Sequence, residues 1–122
     1  MEDEVIPNSA ITASTEVDPQ HRAPNARLHF KGGDGRVGAW AAGANDKLQW
    51  LQVSFGNWTK VAGVAIQGRH IVDQWVETFT ISFSFDGLLF KDYQEEAQKK
   101  VVNIFHTVSY VFNMVGVVFS IE

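Results

Sequence analysis

The sequence predicts an all-β domain, a sandwich or a barrel built from short antiparallel strands. Three observations carry this. Glu77–Phe85 alternates strictly between large apolar and hydroxyl residues. Several runs rich in β-branched and aromatic residues are separated by turn signals. Helix signals are nearly absent. Short strands punctuated by turns at this spacing favour a closed or two-layered β architecture. The chain has 122 residues, 45% of them hydrophobic. That length supports one domain with one core, and the composition is far from that of a disordered chain.

The elements follow in order. Residues 12–47 hold five of the ten glycines and two of the three prolines. Lys31-Gly-Gly-Asp-Gly-Arg36 within them cannot be a central strand. So loop-rich a stretch inside a compact domain marks a binding region. Leu48–Phe55 reads as a strand with Leu51, Val53 and Phe55 on one face; Trp50 falls in the polar register. Gly56-Asn57 reads as a turn, and Val61–Gln67 as the next strand. In Glu77–Phe85, Phe79, Ile81, Phe83 and Phe85 oppose Thr78, Thr80, Ser82 and Ser84. Side chains alternate faces along a strand, so this is expected to be half-buried with its hydroxyls outward. Asp86-Gly87 is a strong turn signal, and Leu88-Leu89-Phe90 begins the return. Asp92–Lys100 is the one helix candidate, a turn or two or a loop. Val101–Val108 and Tyr110–Ile121 read as strands.

Charge is unevenly distributed around a net −4. Residues 1–18 carry −5, residues 19–75 carry +4 and residues 76–122 carry −3. The acidic total argues against a nucleic-acid binder. The basic middle is where an anionic or polyhydroxylated partner is sought. With no cysteine, a disulfide scaffold, a thiolate zinc site and a cysteine nucleophile are excluded. The P-loop, nucleophile-elbow and zincin motifs are missing. The four histidines, His21, His29, His70 and His106, lack tight metal spacing. An enzyme is therefore not expected. No basic n-region with an apolar run opens the chain. Val108–Ile121 is too short and is interrupted by Asn113, so no transmembrane segment is expected. Asn57-Trp58-Thr59 is an N-glycosylation sequon.

Particular runs go further. Ile6-Pro-Asn-Ser-Ala-Ile-Thr-Ala-Ser-Thr-Glu16, Ala26-Arg-Leu28, Gly38-Ala-Trp-Ala-Ala-Gly-Ala-Asn-Asp-Lys47, Gln49-Trp-Leu-Gln-Val-Ser-Phe-Gly56, Gly63-Val-Ala-Ile-Gln-Gly-Arg69 and Phe79-Thr-Ile-Ser-Phe-Ser-Phe-Asp-Gly87 resemble, in order and spacing, the discoidin (coagulation factor 5/8 type C) domain. The likeness covers roughly residues 5–107. It implies one domain over 5–122 behind an acidic tail at 1–4. The expected fold is a discoidin-like antiparallel jelly-roll β-sandwich of about eight strands, with spike loops projecting from one end. The implied function is non-catalytic, extracellular binding and adhesion. Two departures stand out. The family's terminal cysteine pair is absent. Beyond about residue 107 the family's last strand is missing or replaced, which is expected to leave an unpaired edge.

The resemblance also sorts the loop residues. Spike one, Glu16–Pro24, lacks the exposed large apolar tips of membrane-binding members. Asp18, His21, Arg22, Asp34, Arg36, Arg69, His70 and Trp75 are the expected ligand contacts, suited to sugar hydroxyls or acidic groups. Trp40 and Trp50 are expected to anchor loops, Arg27 to pair with a framework carboxylate for which Asp46 is a candidate, and Gly68 to permit a turn. Some family members bind calcium; Asp34, Asn45 and Asp46 are the available oxygens, against the six to eight that calcium takes. The leading partner is a cell-surface glycan or glycoprotein. An anionic phospholipid and another extracellular protein are the alternatives.

Overall fold

The computed structural model describes residues 5–61, 64–95, 98–99, 101–103 and 112–121. Eight strands occupy them: β1 Ile11–Ala13, β2 Trp50–Val61, β3 Thr78–Ser84, β4 Lys91–Asp92, β5 Gln94–Glu95, β6 Gln98–Lys99, β7 Val101–Asn103 and β8 Phe112–Ile121. Two single 3-10 turns, at Asn8–Ala10 and Ala23–Ala26, are the helical pieces among the described residues. The main sheet runs β1-β2-β8-β3, with β4 and β7 both paired to the far edge of β3. All its pairings are antiparallel. β5 and β6 form a separate hairpin where the helix candidate lay; helix propensity in Asp92–Lys100 yields to pairing.

β8 lies at the centre of the sheet, pairing β2 on one side (Leu51↔Phe119, Val53↔Val117) and β3 on the other (Ile81↔Phe119, Phe83↔Val117). The expected open edge is therefore closed by this apolar segment. Of the expected strand Val101–Val108, β7 is the described part; residues 104–108 lie outside the described residues.

Two further expectations change. Gly56-Asn57 does not end the strand. β2 runs through it with a break in register, passing from Ser54↔Gly116 to Thr59↔Met114, so that four residues bulge opposite one. Gly56 at φ +72° supplies the left-handed backbone this needs. The strand expected at Val61–Gln67 is not a separate element: β2 takes in Val61, and residues 65–67 are irregular.

The second change concerns β3. Its hydroxyl face is buried as deeply as its apolar face: Thr80, Ser82 and Ser84 are all buried beside Phe79 and Ile81. The local reading of a half-exposed strand fails because side chains on both faces of β3 are covered. Ser82 Oγ donates to Asp92 and Ser84 Oγ to Asp86, both within 2.9 Å. The Thr80 hydroxyl has no partner among the described residues. The Asp86-Gly87 turn is present. Asp86 accepts from the Leu88 and Leu89 N–H groups and the Ser84 hydroxyl. These bonds hold its carboxyl below the usual value.

Two apolar clusters form the core. Phe79 and Ile81 pack with Phe55, Val61, Val64, Val76, Phe83 and Tyr93. Ile11, Ala23 and Leu51 pack with Ile6, Ala13, Ala26 and Trp40, which fastens the loop layer to β1 and β2. A 150 Å³ apolar gap lined by Leu51, Val64, Val76 and Phe79 separates the loops from the sheet.

A candidate ligand cleft between two loops

An open cleft of about 910 Å³ lies between residues 39–46 and residues 67–77, just before the start of β3. Its first wall is built on Gln49, which is 5% exposed. The Gln49 amide donates to Asp46 at 2.8 Å, and its carbonyl accepts from Ser14 at 2.9 Å and from Thr15. Thr15 Oγ1 in turn accepts the Gly43 N–H at 2.9 Å, and the Thr15 carbonyl accepts the Trp40 indole at 3.0 Å. One buried amide thus ties the loop to the chain just beyond β1. Asp46 also accepts the Leu48 N–H. Its carboxyl is held below the usual value, first by Gln49 and then by Leu48.

The second wall is a tight turn. Arg69 N–H donates to the Gln74 carbonyl at 2.8 Å, and Arg69 Nη1 to Gln74 Oε1 at 2.7 Å. Arg69 Nε is buried with no partner among the described residues. Gly68 keeps this turn closed through close approach: a Cβ there would stand 3.2 Å from the Gln74 carbonyl. The turn presents Trp75, 61% exposed, to the cleft, and holds Ile71 outward, 88% exposed, at φ +58°. A β-branched residue in that region is a strained outlier.

Of the eight expected contacts, Arg69 and Trp75 line the cleft. The other six do not. Asp18 is engaged by its own loop, accepting from the Gln20 and His21 N–H groups and from His21 Nδ1 at 2.9 Å. The His21 ring nitrogen is the main cause of the lowered Asp18 carboxyl. The loop bearing Asp18, His21 and Arg22 zips backbone-to-backbone onto residues 37–41 (Val17 N–H to Ala41 at 3.0 Å, Val37 N–H to Gln20 at 2.9 Å), which fixes it beside the cleft wall. Asp34 and Arg36 belong to the exposed Gly33–Arg36 turn, where the Arg36 guanidinium sits 4.9 Å over the Phe30 ring. His70 backs onto Gly38.

The framework residues also resolve. Trp40 packs on the second core cluster. Trp50 is half-buried in β2, with its N–H on Ser14 Oγ at 3.0 Å. Arg27 does not meet Asp46. Its buried guanidinium donates to Asn8 Oδ1 at 2.8 Å and to the Ile6 carbonyl. The N-terminal segment reaches it first, and Asp46 is taken by Gln49.

Calcium does not fit the expected set. Asn45 and Asp46 line the cleft, but Asp34 does not, and Asp46 is occupied by two donors. No cluster of three or more metal-ligating side chains occurs among the described residues.

Sequence reasoning missed Gln49, Asp73, Gln74 and Glu77. Gln49 and Gln74 carried a legible signal only through their neighbours, the Gln49-Trp50 and Gly68-Arg69 runs. The cleft's charged lining is Asp46, Asp73, Glu77 and Arg69, so it is net acidic. The basic middle segment does not create a basic site, because Arg27 is buried and Arg22, Lys31, Arg36, Lys47 and Lys60 lie outside the cleft.

A rigid β-scaffold carrying an aromatic and several amides and carboxylates on loops at one end defines a binding module. The F5/8 type C domain profile matches residues 10–115, and the chain belongs to that family. Rat (Rattus norvegicus) lactadherin is 34% identical over 108 residues, 83% of this chain and 25% of lactadherin. Hemocytin of Bombyx mori is 33% identical over 90 residues, 74% of this chain and 3% of hemocytin. The chain thus spans a quarter or less of these relatives. Among solved structures, discoidin II of Dictyostelium discoideum superposes with TM-score 0.81 at 16% identity, covering 92% of this chain and 48% of that one. The family 32 carbohydrate-binding module of Clostridium perfringens NanJ, in complex with galactose, gives TM-score 0.57 at 22% identity, covering 95% and 85%. These likenesses establish the jelly-roll fold. Among the described residues no helix is long and apolar enough to cross a membrane.

Proposed function

We propose that residues 5–122 act as one extracellular glycan-binding module whose cleft takes neutral or amino sugars rather than sialylated or sulfated ones. The carrying observation is the exposed Trp75 face ringed by Asp46, Asp73, Gln74, Glu77 and Arg69. A sugar ring offers an apolar face to an aromatic and hydroxyls to oriented amides and carboxylates. Three carboxylates against one guanidinium disfavour an anionic ligand. The NanJ module, a fold relative in complex with galactose, supports the same direction. A glycan array followed by titration with the best neutral ligand tests it. Trp75→Ala and Arg69→Ala are expected to weaken binding by tenfold or more, and Asp34→Ala to leave it unchanged. An array with no neutral or amino-sugar hits, or full binding by Trp75→Ala, overturns the proposal.

A second reading has its own observation. The strained turn holds Ile71 (88% exposed) and Val72 (40% exposed) in solvent as an apolar tip. Insertion of such a tip into anionic phospholipid would persist in high salt, whereas purely electrostatic attachment is screened. Phosphatidylserine liposomes with wild type and Ile71→Asp decide it: salt-resistant binding lost in the variant supports this reading, and no binding removes it.

A further inference from the structure

At the opposite end of β3 from the cleft, about 23 Å along the strand, the β2 bulge and the turn after β3 expose a second aromatic surface. Trp58 is 70% exposed and stacks on Phe85, with ring centroids 5.3 Å apart and planes inclined by 22°. Phe85 is itself 45% exposed and meets Phe83 edge-on at 5.4 Å. Leu88 and Leu89 in the same turn are 83% and 75% exposed. So much apolar area in one place calls for a cover.

The bulge supplies one. Asn57, immediately before Trp58, is exposed and heads the sequon Asn57-Trp58-Thr59. Its side-chain amide has no partner among the described residues, and the Thr59 hydroxyl closes back on the Asn57 carbonyl at 3.1 Å. In a regular strand Asn57 and Trp58 would point to opposite faces, but a bulge with four residues opposite one breaks that alternation and re-aims side chains. We propose that Asn57 is N-glycosylated and that the first N-acetylglucosamine lies over the Trp58–Phe85 stack, covering it. The transfer is balanced: the Asn57 amide nitrogen forms a bond to the anomeric carbon of a lipid-pyrophosphate-linked oligosaccharide. The carbon–phosphate-oxygen bond breaks, the lipid pyrophosphate leaves, and the amide proton goes to the transferase base. The proposal concerns a modification remote from the cleft and stands whatever ligand the cleft takes.

The test is secretion of the full chain behind a cleavable leader from cells restricted to high-mannose glycans. Mass spectrometry of the Asn57 peptide is expected to show a hexose-rich glycan. Endoglycosidase H then leaves a single N-acetylglucosamine, and Asn57→Gln leaves none. The trimmed wild type is expected to melt as high as the untrimmed protein and roughly 3–6 °C above Asn57→Gln, with weaker binding of an apolar dye. In Trp58→Ala the sugar-dependent difference is expected to vanish, and in Trp58→Phe to remain. An unoccupied Asn57 overturns the proposal. So does a sugar-dependent difference that is absent in wild type, or that is equally large in Trp58→Ala.

Discussion

Gln49→Met is the sharpest test of how the cleft is built. Methionine keeps the length of the side chain and removes both polar ends. Gln49 is 5% exposed, and its carbonyl accepts from the Ser14 and Thr15 hydroxyls. A hydrogen bond of this kind contributes about 1 kcal/mol net, so the loss of two is expected to cost about 2 kcal/mol. For a domain of this size that is a fall in Tm of about 8 °C. Thermal and urea unfolding followed by circular dichroism measure both quantities. The third arm, from the Gln49 amide to Asp46, is read through pH. Gln49 is the leading cause of the lowered Asp46 carboxyl, so the acid limb of the stability profile should flatten in Gln49→Met. Affinity for the cleft ligand should also fall, because Asp46 loses the amide that links it to Ser14 and Thr15. A change below about 0.5 kcal/mol, with an unaltered acid limb, would refute the view that this amide organises the cleft.

Three further outcomes are expected. Asp18, Asp46 and Asp86 all have lowered carboxyls. The unfolded chain therefore binds more protons than the folded one between the two sets of values. Stability should hold above about pH 4 and be lost as pH falls through the lower folded values; melts across that range check it, with Asp86→Asn shallower. Gly38→Ala places a Cβ 2.9 Å from that of His70 and 3.0 Å from the Phe30 carbonyl, and should cost about 1–3 kcal/mol in denaturant unfolding. Ile71→Asn relieves a left-handed β-branched residue at an exposed tip and should raise stability by about 1 kcal/mol, seen as a higher urea midpoint.

The all-β class was readable from local pattern, because alternation and turn chemistry are properties of neighbouring residues. The Asp86-Gly87 turn and the apolar face of Thr78–Ser84 follow from that alone. The family was readable too, since its motifs are contiguous runs such as Gln49–Gly56 and Phe79–Gly87. Arg69 and Trp75 could be picked out because Arg69 ends the Gly63–Arg69 run and Trp75 lies just beyond the loop that follows it.

What the tertiary structure decided is everything that depends on a distant neighbour. The burial of Thr80, Ser82 and Ser84 needs cover over the second face of β3, and which face is covered is a fact of packing that periodicity does not carry. The site's charge follows from which loops meet. The basic middle segment contributes a single guanidinium to an acidic cleft, because Arg27 is drawn to Asn8 and Ile6 while Arg36 lies over Phe30. Asp18 looked like a contact and is a local cap; Gln49 looked like a strand residue and is the centre of the cleft's scaffold. Local sequence sets the strands, but a ligand site is an encounter between loops far apart in the chain, and only packing chooses which side chains face each other.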